Sequence, residues 1–178
     1  MKKNILVYFN ILVILSINYQ PLFAQYPQVG DNFQGGIIFW LDANGGGLIA
    51  APTSQSSGAK WGCYGTSISG ADGTAIGTGN QNTIDIEAGC TTSGTAADIC
   101  ANLTLGGYSD WFLPSIDELN EMYLNLHQQG LGGFIANTGY WSSTEDSYLN
   151  AWFQNFASGY PSLSGKNTNF IVRAVRAF

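Results

Sequence analysis

The most continuous apolar stretch of the chain comes first. Ile5 to Ile17 is apolar apart from Asn10 and Ser16, and Lys2 and Lys3 stand before it. As a helix such a run spans only about 20 Å, short of the roughly 30 Å hydrocarbon core of a bilayer. Pro21-Leu22-Phe23-Ala24-Gln25 then places a small residue, Ala24, at the expected cut. Basic start, apolar run and cleavage site together are the order of a secretory signal. Residues 1–24 are expected to be removed, leaving one domain over 25–178 with no second stretch able to cross a membrane. No cysteine lies beside the cut, which speaks against a lipid anchor.

Beyond the signal, apolar positions fall into short patterned runs. Gln34 to Leu41 reads as a strand, with Ile37, Ile38, Phe39 and Trp40 at its β-favouring centre. Asp42-Ala43-Asn44-Gly45-Gly46 is turn chemistry, and Gly47 to Ala51 returns as a second strand ended by Pro52. Thr53 to Gly94 is polar, glycine-rich and without a period. It reads as a structured loop anchored by Trp61, Tyr64, Ile68, Ile76, Ile84 and Ile86. Ala96, Ile99, Cys100 and Leu103 then repeat at helical spacing, stopped by Gly106-Gly107. Ser115 with Glu118 three residues on predicts a capping box, and Leu119, Met122, Tyr123 and Leu126 form one face of a second helix ended by Gly130. Tyr140-Trp141-Ser142-Ser143, Ala151 to Phe156 and Phe170 to Phe178 read as strands. Strands, a long loop, two helices and more strands make an α+β domain.

Charge narrows the function. Six Lys and Arg stand against twelve Asp and Glu, a net charge of −6, and loss of Lys2 and Lys3 makes the chain more acidic still. Nucleic-acid binding needs cations to displace counterions from phosphate, so it is excluded as the expected partner. A hydrophobic content of 45% is too high for a disordered chain. The three cysteines, Cys63, Cys90 and Cys100, allow one bridge in an oxidising compartment, with three possible pairings. Cys90–Cys100 is favoured because its loop is short and closes easily. Cys63 would then be a small buried hydrophobe.

No metal or cofactor motif is present. The chain has no His-Glu-x-x-His, paired Cys-x-x-Cys, phosphate-binding glycine loop or Gly-x-Ser-x-Gly elbow, and His127 is its one histidine. Asp110, Asp117, Glu118 and Glu121 could form a glycosidase pair, but they read better as turn and helix-start residues. Arg173 and Arg176 are expected to include at least one guanidinium tied to a carboxylate, with Glu118 as partner. Trp111, Trp141 and Trp152 read as core. The expected ligand-binding residues are the polar and aromatic groups of the C-terminal strands and turns: Ser143, Glu145, Tyr148, Asn150, Asn155, Tyr160 and Asn167. Tyr, Ser and Asn combine rigid contact area with adaptable hydrogen bonds.

Several of these runs resemble one family. Gly107-Tyr108-Ser109-Asp110-Trp111-Phe112-Leu113-Pro114-Ser115, then Asp117-Glu118-Leu119, Tyr140-Trp141-Ser142-Ser143-Thr144-Glu145 and Val172-Arg173-Ala174-Val175-Arg176 are similar to the C-terminal domain of the Legionella collagen-like adhesin. The resemblance spans roughly Gly30 to Phe178. It implies a C-type-lectin-like fold, in which strands near the two termini are adjacent, two helices flank a small, mostly antiparallel sheet, and a long loop region carries ligands. Asp110, Trp111, Pro114, Ser115, Glu118, Trp141, Arg173 and Arg176 are themselves expected to have structural roles. The resemblance also implies an exported, non-catalytic adhesion module for a glycan or protein ligand, in the periplasm, on the outer surface or outside the cell. The rivals are a structural or assembly domain and, further off, a carbohydrate-active enzyme. The adhesin domain is associated with sulfated glycosaminoglycans. Beyond the signal, however, this chain has only Lys60, Lys166, Arg173 and Arg176 as cations, and its net charge repels polyanions. The Glu-Pro-Asn and Trp-Asn-Asp motifs of calcium-dependent lectins are absent, and the adjacent Glu145-Asp146 supply too few of calcium's six to eight oxygen ligands.

Overall fold

The computed structural model describes residues 26–178; the signal read over residues 1–24 lies outside the described residues. In chain order the elements are β1 Asn32–Phe33, β2 Gly36–Leu41, β3 Gly47–Ala50, β4 Ser56–Ala59, α1 Gly79–Gly89, α2 Ala96–Ala101, α3 Ile116–Asn125, β5 Gly139–Glu145, β6 Asn150–Asn155, β7 Pro161–Gly165, β8 Phe170–Val172 and β9 Val175–Ala177. A 3-10 turn, His127–Gln129, follows α3 and ends at Gly130, whose φ of 72° suits glycine.

The strands form two sheets, ordered β1-β2-β3-β9 and β4-β8-β5-β6-β7. Every pairing is antiparallel except β5 with β8. The N-terminal strands and the last strand share one sheet, with Leu48 opposite Ala177 and Ala50 opposite Val175. Three helices and two mostly antiparallel sheets give the α+β, C-type-lectin-like fold.

Alternation along the strands sorts the interior into two clusters. Ile38 and Ile49 face Trp61, Ile86, Cys100, Trp111, Leu113, Trp141 and Val172. Their neighbours Phe39, Leu48 and Ala50 face Leu119, Met122, Leu126, Tyr140 and Phe156. The adjacent residues Tyr140 and Trp141 thus point to opposite faces of β5, as the two-residue strand period requires. Trp141 donates its indole N–H to Ala59 O at 2.9 Å, and Trp61 donates to Ser142 O at 2.8 Å. These crossed bonds lock β4, β5 and the chain after β4 together. Trp111 is 2% exposed, and its indole donates to Leu105 O at 3.2 Å.

The predicted capping box is present. Ser115 Oγ accepts from Glu118 N, and Glu118 Oε2 accepts from Ser115 N at 2.8 Å. Glu118 also accepts from Gly77 N at 2.8 Å, so this carboxylate satisfies the starts of both α3 and α1. A Cβ at Gly79 would collide with the Glu118 carboxylate and with Ser115 N, which explains glycine there.

Three expectations about elements and ion pairs are corrected. The segment Thr53–Gly94, expected to be loop throughout, contains β4 and α1. The single terminal strand expected over Phe170–Phe178 is two, β8 and β9, in different sheets. Glu118 is not the partner of an arginine; Arg176 pairs with Asp110 instead. Arg173, 1% exposed, donates to Ala51 O and Gly132 O and covers the Phe134 ring. Its position is set by carbonyls where the chain crosses from one sheet to the other.

The disulfide is also different: Cys63 is bonded to Cys90, with Cα atoms 5.6 Å apart, and Cys100 is free. Sequence proximity did not decide the pairing. Cys100 lies within α2, where it shares the buried face with Ala96 and Ala97, and burial pushes its thiol well up. Cys90 caps the end of α1, and the chain leaving Trp61 runs past it, with Cys63 N 3.0 Å from Cys90 Sγ.

The long loop region is held from inside by an ion pair. Lys166 is fully buried; its ammonium bonds the Glu145 carboxylate, donates to Thr66 O at 2.8 Å and lies 4.6 Å from the Trp61 ring centroid. Glu145 accepts in turn from Ile68 N at 2.9 Å and from the Ser67 hydroxyl at 3.3 Å. The backbones agree: Trp61 N donates to Lys166 O, Lys166 N to Leu149 O and Glu145 N to Ala71 O.

Three outcomes follow from this packing. Lys166→Met leaves Glu145 buried and unpaired, and is expected to cost about 3–5 kcal/mol in urea denaturation, with Lys166→Met/Glu145→Gln losing less than the sum of the single changes. Peptide mapping should return a Cys63–Cys90 link and an unmodified Cys100. Cys63→Ser should lower stability by about 3–4 kcal/mol, the loop-entropy value for the 27-residue separation. Trp111→Ala should cost about 3–5 kcal/mol, and a loss well below 1 kcal/mol would contradict its place in the core.

Candidate binding face

Strand direction divides the expected ligand residues into two groups. Tyr148 belongs to the β5–β6 connection, Asn150 opens β6, and Asn167 follows β7. These turns share one end of the second sheet, because Asn150 pairs with Gly165. Asn155 and Tyr160 flank the β6–β7 turn at the other end. Strands of five or six residues separate the two ends by about 16–20 Å. One small ligand therefore cannot touch both groups.

Ser143 and Glu145 are corrected: neither faces a ligand. Ser143 is fully buried, bonded by its N–H to Pro114 O at 2.7 Å and by its hydroxyl to the Asn82 amide at 3.2 Å. Glu145 is 8% exposed and belongs to the internal ion pair. Both lie on β5, which is buried along its whole length because helices and loops cover its two faces. The turns carrying Tyr148 and Tyr160 remain on the surface, but β5 does not.

At the first end the loop after β4 joins the turns. Gly65 N donates to Tyr148 O at 2.8 Å, and Tyr64 lies against Gly165. Tyr64 is 52% exposed and Tyr148 55%. Beside them a cleft of about 210 Å³ is lined by Lys60, Cys63, Tyr64, Thr92, Thr95 and Asn167. Lys60 is the one exposed cation among the described residues, since Lys166, Arg173 and Arg176 are all buried. Lys60, Tyr64 and Thr92 were not expected as site residues. They come from the segment read as loop, where Tyr64 stood out only as an aromatic anchor. No spacing rule links position 64 to position 148.

At the second end Asn155 is committed to its own turn, its Oδ1 accepting from Ala157 N at 2.8 Å and from Ser158 N at 3.3 Å. Tyr160 is 75% exposed. Gln154 ties this turn to α3, donating to Gly159 O at 2.6 Å and to Asn120 Oδ1 at 3.1 Å.

Three of the four carboxylates weighed as a catalytic pair have separate partners. The Arg176 guanidinium holds the Asp110 carboxyl below the usual range, and Arg176 also lies over Tyr108 and donates to Gln34. Burial pushes the Glu118 carboxyl up, against the lowering effect of the N–H bonds from Ser115 and Gly77. Glu121 accepts from the Asn125 amide at 2.7 Å, and Asp117 is exposed on the first turn of α3. Among the described residues no group of three or more His, Cys, Asp or Glu is placed to hold a metal ion. His127 packs against the rings of Tyr123, Phe134 and Phe156. No helix among the described residues is long and apolar enough to cross a membrane.

A search of curated proteins finds no match. The family comparison does: residues 53–176 match the Lcl C-terminal domain, a span that begins after the first hairpin and runs through α1, α2, α3 and the second sheet into β9. The hairpin before the match is part of the same fold, since β3 pairs with β9. With most of its length matched, the chain belongs to the Lcl C-terminal domain family.

Proposed function

We propose that this protein is an exported, adhesin-type binding module that recognises a glycan or a protein surface and carries no catalysis. Its binding face is the end of the second sheet where Tyr64 and Asn167 line the Lys60 cleft and the turn carrying Tyr148 and Asn150 lies beside it. The observation that carries this reading is the bracing under exposed tyrosines. Two half-exposed rings project from turns whose backbones are bonded to each other and to the buried Lys166–Glu145 pair. Aromatic contact area offered on preorganised loops loses little entropy on binding, which is how compact paratopes gain affinity. A single exposed cation among the described residues of an acidic chain disfavours densely sulfated polymers, which need several cations at once.

A glycan array, run with calcium and with chelator and including sulfated polysaccharides, tests the reading. The expected result is a saturable hit outside the sulfated set, independent of calcium. Tyr64→Ala and Tyr148→Ala should each weaken that hit about tenfold, the effect of losing roughly 1.4 kcal/mol of contact, while Tyr160→Ala leaves it intact. Loss in Tyr160→Ala alone would move the face to the other end of the sheet. A blank array moves the ligand to the protein class, where the same three variants are compared in pull-downs from host-cell surface extracts.

A further inference from the structure

A second cleft, sharing no residue with the Lys60 cleft, lies on the helical side of the domain. Its volume is about 290 Å³, close to the lower end of ordinary ligand pockets, roughly 300 Å³. One wall is α1, which presents Asn80, Ile84 and Glu87 at helical spacing. The other is the segment Ser109, Asp110 and Trp111. From these residues we propose that the cleft is a distinct ligand site, taking one non-anionic sugar residue whose hydroxyl or ammonium groups donate to Glu87 and Asp110.

Three features point to that chemistry. The first is an apolar side. Ile84, 52% exposed mid-helix, supplies most of it; Trp111, only 2% exposed, also lines the cleft, with its indole N–H already given to Leu105 O. A pyranose ring has an apolar face that such a wall suits. The second is a surplus of acceptors. Asp110 is held in place by Arg176 with its side chain still 62% exposed. Glu87 lines the same cleft with one carboxylate oxygen enclosed and without a hydrogen-bond partner among the described residues. Burial and the charge of Asp98 push this carboxyl up, so its site gains from a donor and loses from another anion. Asn80 and Ser109 are exposed and can either donate or accept. The third is the lack of an available cation. The guanidinium beside the cleft, that of Arg176, is engaged by Asp110, Gln34 and Tyr108. A sulfated or carboxylated sugar would meet two carboxylates and no counter-charge; a neutral sugar or an amino sugar would not be repelled.

The site is tested by two-dimensional NMR titration of the ¹⁵N-labelled protein with four free sugars: galactose, N-acetylglucosamine, glucosamine and glucuronate. Saturable shifts are expected at the amides of Asn80–Glu87 and Ser109–Trp111 with a neutral or amino sugar, and none there with glucuronate. A preference for glucosamine over N-acetylglucosamine that Glu87→Gln removes identifies the ammonium as the donor. Equal binding of the neutral sugars identifies the hydroxyls. Ile84→Arg, an exposed position that need not disturb the fold, fills the cleft and should weaken binding at least about tenfold. Tyr64→Ala and Tyr148→Ala should leave it unchanged. The proposal is overturned if none of the sugars shifts these two segments saturably, if glucuronate binds there as well as its neutral counterparts, or if Ile84→Arg binds like the parent. Shifts confined to the Tyr64–Tyr148 end would favour the binding face proposed above and remove this second site.

Discussion

Lys166 and Glu145 stand 21 residues apart in the chain and are both withdrawn from water. Two buried charges are tolerated only if they meet each other and their remaining hydrogen-bonding capacity is filled. Thr66 O, Ile68 N and the Ser67 hydroxyl supply the remaining bonds, and the Trp61 ring covers the ammonium. All four of these residues lie in the long segment between the first hairpin and α1. The pair therefore gives that segment one arrangement, because any other leaves a charge unpaired in the interior. The Cys63–Cys90 bond fixes the same segment to the end of α1. The exposed Tyr64 and Tyr148 inherit their positions from this internal bracing.

The fate of the cations explains the rest of the surface. Lys166 pairs inside, Arg173 bridges carbonyls where the chain changes sheets, and Arg176 holds Asp110 while stacking on Tyr108. Three of the four cations among the described residues are thus structural, and Lys60 alone of them is left exposed. In an otherwise acidic chain this limits ligands to those that do not rely on dense negative charge. Both clefts obey that limit in different ways: one has a single lysine beside Tyr64, the other an excess of acceptors.

The interior is unusually polar on its helical side. The buried face of α1 contains Asn82 and Thr83 as well as Ile86. Asn82 bonds Gly73 O and Ser143 Oγ, and Thr83 Oγ1 accepts from Leu113 N. These side chains stand where apolar residues would be expected and join α1 to β5 and to the chain before α3. Specific bonds take over part of the task that matching apolar surfaces perform elsewhere, and each demands one register.

By itself the sequence determined the elements whose signals are local. The first hairpin follows from β-branched and aromatic residues around an Asn-Gly turn, α3 from a cap and a helical apolar period, and the α+β class from their order. The motif around Asp110–Ser115 and the terminal Val172–Arg176 run already indicated the family. Tertiary structure decided what depends on distant partners. Helix α1 was invisible to hydrophobic periodicity because half of its buried face is polar. The terminal strand was divided because Phe170–Val172 and Val175–Ala177 find neighbours in different sheets. The bridge went to Cys63 because Cys100 is turned inward by α2, and Arg176 took Asp110 because Glu118 was already enclosed at two helix starts. The proposed binding face was legible only in its residue types. Tyr148 and Asn167 could be named from their turns, whereas Ser143 and Glu145 were lost to the core, and Tyr64 and Lys60 reached the face through a buried ion pair that no local pattern announces.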